Sequence, residues 1–146
     1  MSYKKIDINE LKLNPFETIG KDWLLISAKK GDQVNTMTAS WGGIGVIWNK
    51  NVITAYIRPQ RYTREFVDES DYFTITCFKG YKKELGVLGS KSGRDGDKIK
   101  EVGFDVEMLN NQPTFKQGTM CFTCKKLYRG KIEPEGFIDK DLDIKN

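Results

Sequence analysis

Residues 35–50 read NTMTASWGGIGVIWNK. The stretch sets an amide and three hydroxyls (Asn35, Thr36, Thr38, Ser40) beside Trp41, then places Gly42, Gly43 and Gly45 ahead of a second tryptophan, Trp48. A half-buried strand alternates apolar and polar residues, and an ordinary turn is built from Gly, Pro, Asn, Asp and Ser. Residues of this kind often satisfy local backbone in loops, and the two tryptophans could be core. What the stretch offers beyond that is small hydrogen-bonding groups, close-approaching backbone and flat aromatic surface in one place.

Working outward, WLLISAKK (23–30) is apolar and bounded by the Gly31-Asp32 turn signal, which predicts a strand. NVITAYI (51–57) is rich in β-branched residues and reads as another, ended by Pro59. Tyr62, Phe66 and Val67 fall at helical spacing within RYTREFVDES (61–70), and YFTITCF (72–78) alternates like a two-faced strand. YKKELGVLG (81–89) places Tyr81, Leu85 and Leu88 on one helical face, and DKIKEVG (97–103) predicts one or two helical turns closed by Gly103. FDVEML (104–109) and TMCFTCKKLY (119–128) are further strands, and the charged tail 131–146 is expected to hold little regular structure. Strands of moderate length with short helices between them predict a mainly β protein, a barrel or sheet with helical insertions.

Bulk properties narrow the function. A chain of 146 residues suggests a single domain, 1–146, able to bury a core without disulfides. Three cysteines are no disulfide framework and suit a reducing compartment. No apolar run approaches the roughly 18 residues of a membrane span, and MSYKKIDINELKL is no signal peptide, so the expected location is the cytoplasm. The net charge of +4 is spread over scattered lysine pairs rather than a stripe, which argues against nucleic acid as a partner. There is no histidine, which removes the usual Ser-His and Cys-His pairs and the commonest zinc ligand.

Three further features could carry chemistry. Cys121-Phe-Thr-Cys124 lies in a predicted strand, where positions three apart face opposite ways; neither a redox pair nor a zinc site is expected there. GSKSGRDGDK (89–98) has the look of phosphate-binding loops, although its spacing matches neither common phosphate motif. IRPQRYT (57–63) gathers two arginines and a threonine where a helix is about to begin, a place suited to anions. Alone, either of these last two reads equally as solvated surface. Together with 35–41 they suit a flat heteroaromatic ligand that carries a phosphate.

The order N-T-M-T-A-S-W-G, I-R-P-Q-R-Y-T, a short helix, S-D-Y-F-T-I-T and G-S-K-S-G-R-D-x-D-K resembles the flavin reductase-like, FMN-binding split-barrel family, and within it the flavoredoxin-like proteins. The resemblance runs from about Trp23 to Tyr128. It implies a six-stranded antiparallel split β-barrel with short helical insertions, assembled as a homodimer with FMN at the subunit interface. It implies that Asn35, Thr36, Met37, Thr38, Ala39, Ser40 and Trp41 line the isoalloxazine ring. Arg58, Arg61, Tyr62 and Thr63 would hold ribityl and phosphate oxygens, with Ser90, Ser92 and Lys98 approaching the phosphate from the other side. No catalytic side chain is implied, since hydride or electron transfer belongs to the flavin. NADH or NADPH is the expected reductant, with a second electron acceptor. The alternatives are an FMN electron carrier without a nicotinamide site, and a non-catalytic ligand-binding module on the same barrel. Family members continue into a further strand with a Tyr and a Gly-Glu pair, which is not found before DLDIKN.

Overall fold

In a computed structural model of the chain, residues 3–145 are described; Met1, Ser2 and Asn146, the last residue of the charged tail, lie outside them. Strand β1 (Leu24–Lys30) turns at Gly31, whose φ of 62° suits a residue without Cβ, into β2 (Gln33–Ala39). β1 also pairs with β5 (Tyr72–Cys77), which pairs in turn with β8 (Met120–Lys125), giving a four-stranded antiparallel sheet of order β2-β1-β5-β8. Two hairpins flank it. β3 (Gly42–Ile47) pairs with β4 (Lys50–Ala55), and β6 (Val106–Leu109) with β7 (Gln112–Phe115). Each hairpin turns through two residues with positive φ, Trp48-Asn49 (54° and 58°) and Asn110-Asn111 (51° and 64°), the geometry that matches strand twist.

The sheet is apolar on both faces because β1 is a continuous apolar run. Ile26, Met37, Ala39, Phe73 and Ile75 form one core with Phe66 and Val67 of the helix Thr63–Glu69, backed by Ile44 and Ile53 of the β3–β4 hairpin. Leu25 opens the other face, where Phe78, Leu85, Leu88, Ile99, Phe104 and Phe115 pack together. Helix α1 (Pro15–Glu17) runs into a π turn before β1. Helix α2 (Thr63–Glu69) covers the first core, while α3 (Lys82–Ser90) and α4 (Lys98–Val102) cover the second. Asp97 caps α4 through Lys100 N–H, and Gly103 ends it in the left-handed region at φ 75°.

Residues 35–39 of the stretch expected to line the flavin ring lie in strand β2, where Asn35, Thr36 and Thr38 hydrogen-bond within the protein. Two expectations are corrected. The barrel is not closed: β2 and β8 are the edges of the sheet, and the β3–β4 hairpin pairs only with itself. The tail holds a 3-10 turn at Pro134–Gly136 and helix α5 (Lys140–Lys145).

The cysteines follow the strand reading. Cys124 packs against the first core, whereas Cys121 contacts Thr76 on the opposite face. Burial pushes the Cys124 thiol up to about 12, with Cys121 adding to the rise, so it stays protonated at neutral pH and is a poor nucleophile. Replacing both Cys121 and Cys124 by Ala should therefore lower stability by roughly 1–3 kcal/mol. In chemical denaturation the losses of the two single replacements should sum to that of the double variant, because the thiols face opposite sides of the strand. A double variant whose loss departs clearly from that sum would reveal a coupled pair and contradict this.

Candidate functional site

The turn between β4 and α2 carries three of the implied residues. Arg61 N–H donates to the Arg58 carbonyl at 3.1 Å, closing a tight turn just after Pro59. That turn sends the Arg58 guanidinium back over Trp41, 4.9 Å from its ring centroid. Arg58 and Trp41 thus bracket the β3–β4 hairpin, one on each side of its root. Thr63 opens α2 fully buried, and its Oγ1 accepts a 2.9 Å hydrogen bond from Asn35 Nδ2 on β2. This bond ties the polar stretch of the edge strand to the helix that follows the arginines.

Lys98, the first residue of α4, is only 5% exposed. Its ammonium donates to the carbonyls of Leu88 and Lys91, both at 2.9 Å, near the end of α3. An ammonium has three donors, so one remains. Burial, and then the nearby Arg61 charge, push Lys98 down to about 8. Arg61 is itself lowered by burial and by Arg58. Arg58, Arg61 and Lys98 therefore form a linked cluster of cations, and among the described residues none of the three is ion-paired. Arg61 Nη2 is moreover buried without any hydrogen-bond partner. A buried donor left unmade costs about 1–3 kcal/mol, more when it is charged.

The remaining implied residues divide by face. Thr36 is fully buried, with its hydroxyl engaged by Ser27 at 2.7 Å and by the Ile26 carbonyl at 3.1 Å. Thr38 donates to the Leu85 carbonyl of α3 at 2.5 Å. Met37 and Ala39 lie in the first core. Ser40 is exposed, and Trp41 is 47% exposed. Tyr62 packs edge-on to Phe66, with ring centroids 5.1 Å apart. Ser90 is exposed and bonds the Val87 carbonyl within α3, while Ser92 Oγ accepts from Arg94 N–H in the glycine-rich loop. The structure thus gathers Asn35, Arg58, Arg61, Tyr62, Thr63 and Lys98, and uses the Thr36, Met37, Thr38 and Ala39 side chains for packing. β2 is a sheet edge, so along 35–39 the backbone groups that point away from β1 remain for an outside partner.

Three residues outside the implied set meet here. A Cβ on Gly93 would run into Asn35 Oδ1 and lie 3.2 Å from Tyr62, so only glycine lets the loop sit this close. The Arg94 guanidinium lies over the Tyr62 ring, 4.5 Å from its centroid, and pairs with Glu65 of α2. In the sequence the loop's glycines and basic residues were visible, but nothing linked them to Glu65.

No protein-family model matches the chain, and no curated protein sequence matches it. Solved structures do. The FMN-binding domain of a flavin reductases-like enzyme from Shewanella baltica aligns with a TM-score of 0.68 at 22% identity, covering 79% of this chain and 62% of that one. Flavoredoxin of Desulfovibrio vulgaris aligns with a TM-score of 0.69 at 20% identity, covering 88% of this chain and 69% of that one. Flavoredoxin from Methanosarcina acetivorans gives 0.67 at 22% identity, over 89% and 68%. The chain thus spans less than two thirds of the Shewanella protein. By its fold, the chain is similar to the FMN-binding flavin reductase-like proteins and the flavoredoxins.

Proposed function

We propose that the protein is an FMN-binding flavoprotein of flavin-reductase type, moving hydride or electrons from a reduced nicotinamide dinucleotide through FMN to a second acceptor. One observation carries the reading. Among the described residues, Arg61 Nη2 is buried with no acceptor, near the spare donor of Lys98 and close to Arg58, and no carboxylate is paired to any of them. An organic phosphate supplies the missing acceptors and the missing negative charge. The neighbouring surface suits the rest of the cofactor: the open backbone edge of β2 offers N–H and C=O groups to the polar rim of a flavin, and Trp41 offers flat apolar area. Asn35 and Thr63, bonded to each other, fix the spacing between that edge and the arginine turn. Bound FMN supplies the redox chemistry, and the chain's own residues bind, orient and neutralise.

The reading includes a homodimer. Its support is the unclosed sheet edge at β8 together with apolar side chains on the hairpin, where Val46 is 72% exposed and Trp48 58%. A second copy would cover both and complete the groove beside Trp41.

The phosphate assignment is tested by a ratio. Losing a charge-assisted hydrogen bond costs about 1.5–3 kcal/mol, so Arg61→Ala should weaken FMN binding by roughly ten- to a hundredfold. Riboflavin, which has no phosphate, should respond far less. Arg58→Ala and Lys98→Met should act in the same direction. An FMN preference over riboflavin that survives all three substitutions places the phosphate elsewhere. Anaerobic mixing of the FMN-loaded protein with NADH and NADPH then distinguishes a reductase, which bleaches promptly, from a carrier reduced by another protein.

Lys98 adds a pH signature. Its folded pKa of about 8 lies below the ordinary lysine value of 10.5, so between these values the unfolded chain binds the extra proton. Stability of the flavin-free protein should therefore rise with pH across that window. A bound phosphate favours the charged ammonium, so FMN affinity should do the opposite. It should hold below about pH 8 and fall by up to about tenfold per pH unit above it, through the proton released by Lys98. Chemical denaturation and FMN titration from pH 7 to 10, each repeated with Lys98→Met, read the two trends. If Lys98→Met leaves both slopes in place, the proton belongs to another group.

A further inference from the structure

One guanidinium nitrogen and one ammonium pose a problem of access. Arg61 is half-buried with its Nη2 shielded from solvent, and Lys98 is 5% exposed, so an anion bonds both groups at once only if part of the protein moves. The segment between α3 and α4 lies against this place. Lys98 is its far end, and its middle rests on Tyr62, the neighbour of Arg61.

That segment is held in an uneven way. Its ends are fixed: the Lys91 carbonyl accepts from Lys98 Nζ at 2.9 Å, and the Lys91 ammonium pairs with Glu101 of α4 at 2.5 Å. In its middle, the backbone hydrogen bonds are local. Asp95 N–H donates to the Ser92 carbonyl, Arg94 N–H to Ser92 Oγ, and Lys98 N–H to the Gly96 carbonyl. Gly96, at φ 148°, holds a backbone geometry that residues with a Cβ rarely adopt. What joins the middle to the body of the protein is Gly93 packed on Asn35 and Tyr62, and one long side chain. Arg94 spreads over the Tyr62 ring and pairs with Glu65 of α2, with side chains 51% and 47% exposed. Exposed pairs of this kind are weak and are screened by salt.

We propose that the segment Lys91–Asp97 is a hinged cover over buried Lys98 and the shielded Nη2 of Arg61, latched by Arg94 onto Glu65 and Tyr62, and that this latch sets how fast a flavin enters and leaves. The inference rests on the flavin reading above. Arg94 is in this scheme a positioning residue: it does not hold the phosphate but keeps the cover down. Opening breaks one exposed ion pair, one cation–π contact and the packing of Gly93 on Asn35 and Tyr62, and leaves both anchored ends in place.

The test is stopped-flow binding of FMN and of riboflavin to the full chain, alongside amide hydrogen exchange of residues 92–97 in the flavin-free protein. Arg94→Ala removes both contacts and should raise association and dissociation rate constants together, for both flavins, by roughly three- to thirtyfold. Glu65→Gln keeps the contact with Tyr62 and should give a smaller rise, roughly two- to fivefold, for both flavins. Hydrogen exchange in the segment should speed up in both variants. Unchanged rates or unchanged exchange overturn the latch. A loss confined to FMN in Arg94→Ala, with riboflavin unaffected, also overturns it, because Arg94 would then be a phosphate ligand. If the wild type binds neither flavin, the flavin reading falls and the gating role falls with it. Wild-type binding with unaltered rates in both variants removes the latch alone.

Discussion

A guanidinium nitrogen buried with nothing to bond is the feature on which the arrangement of this protein turns. Left to itself the Arg58–Arg61 turn would swing outward, since water solvates a guanidinium better than a protein interior does. It is held because both ends are fixed by apolar packing. On one side Phe66 and Val67 seat α2 in the first core; on the other the β3–β4 hairpin lays Ile44 and Ile53 on the same core. Lys98 is fixed separately, by Ile99 in the second core and by its two bonds to the end of α3. The cost of crowding cations is thus met by hydrophobic burial elsewhere.

The central strand β1 makes this possible. Being buried on both faces, it separates two cores that fix two different parts of the site: α2 from one face, α3 and α4 from the other. Polar residues within the sheet do not weaken it, because each finds a partner inside. Ser27 meets Thr36 across the β1–β2 ladder, Thr76 meets Thr114 at 2.7 Å, and Thr74 donates to the Pro113 carbonyl at 2.5 Å. A satisfied buried hydroxyl costs little, whereas an orphaned one costs on the order of 1–3 kcal/mol. Against that background of paired groups, Arg61 Nη2 stands out as the buried side-chain donor that has no partner among the described residues.

Much of this was legible in the sequence. Continuous or alternating apolar runs gave β1, β4, β5 and β8, helical spacing gave α2 and α3, and Gly103 marked the end of α4 in its left-handed cap. The arginine turn and Lys98 were legible as basic residues near a helix start and in a glycine-rich loop. What could not be read was pairing. The polar stretch that begins at Asn35 gives no strand signal, because Asn35, Thr36 and Thr38 are satisfied by Thr63, Ser27 and Leu85, which are 28, 9 and 47 residues away. The Arg94–Glu65 pair spans 29 residues and leaves no local trace. The β3 strand was obscured by three glycines, and the β3–β4 turn by a tryptophan where Asn or Gly is the usual choice.

That turn bears on how the tip of the hairpin is connected to its root. Trp48 sits at φ 54°, a left-handed conformation that costs a residue with a Cβ roughly 1–2 kcal/mol. Within the chain its ring meets Tyr128, with centroids 6.2 Å apart, yet it stays 58% exposed. Val46 and Ile47 beside it are 72% and 47% exposed. A strained turn that presents apolar side chains to water gains little from the packing of a single chain, and a covering surface such as the proposed second copy would offset both costs. The consequence reaches the site, because the hairpin is bounded at its root by Trp41 and Arg58, which touch each other. Whatever seats the tip of the hairpin also restrains its two ends. The seating of the tip and the position of Arg58 beside Arg61 are thereby two readings of one element, a short two-stranded lever whose far end carries Trp48 and whose near end holds Arg58 over Trp41.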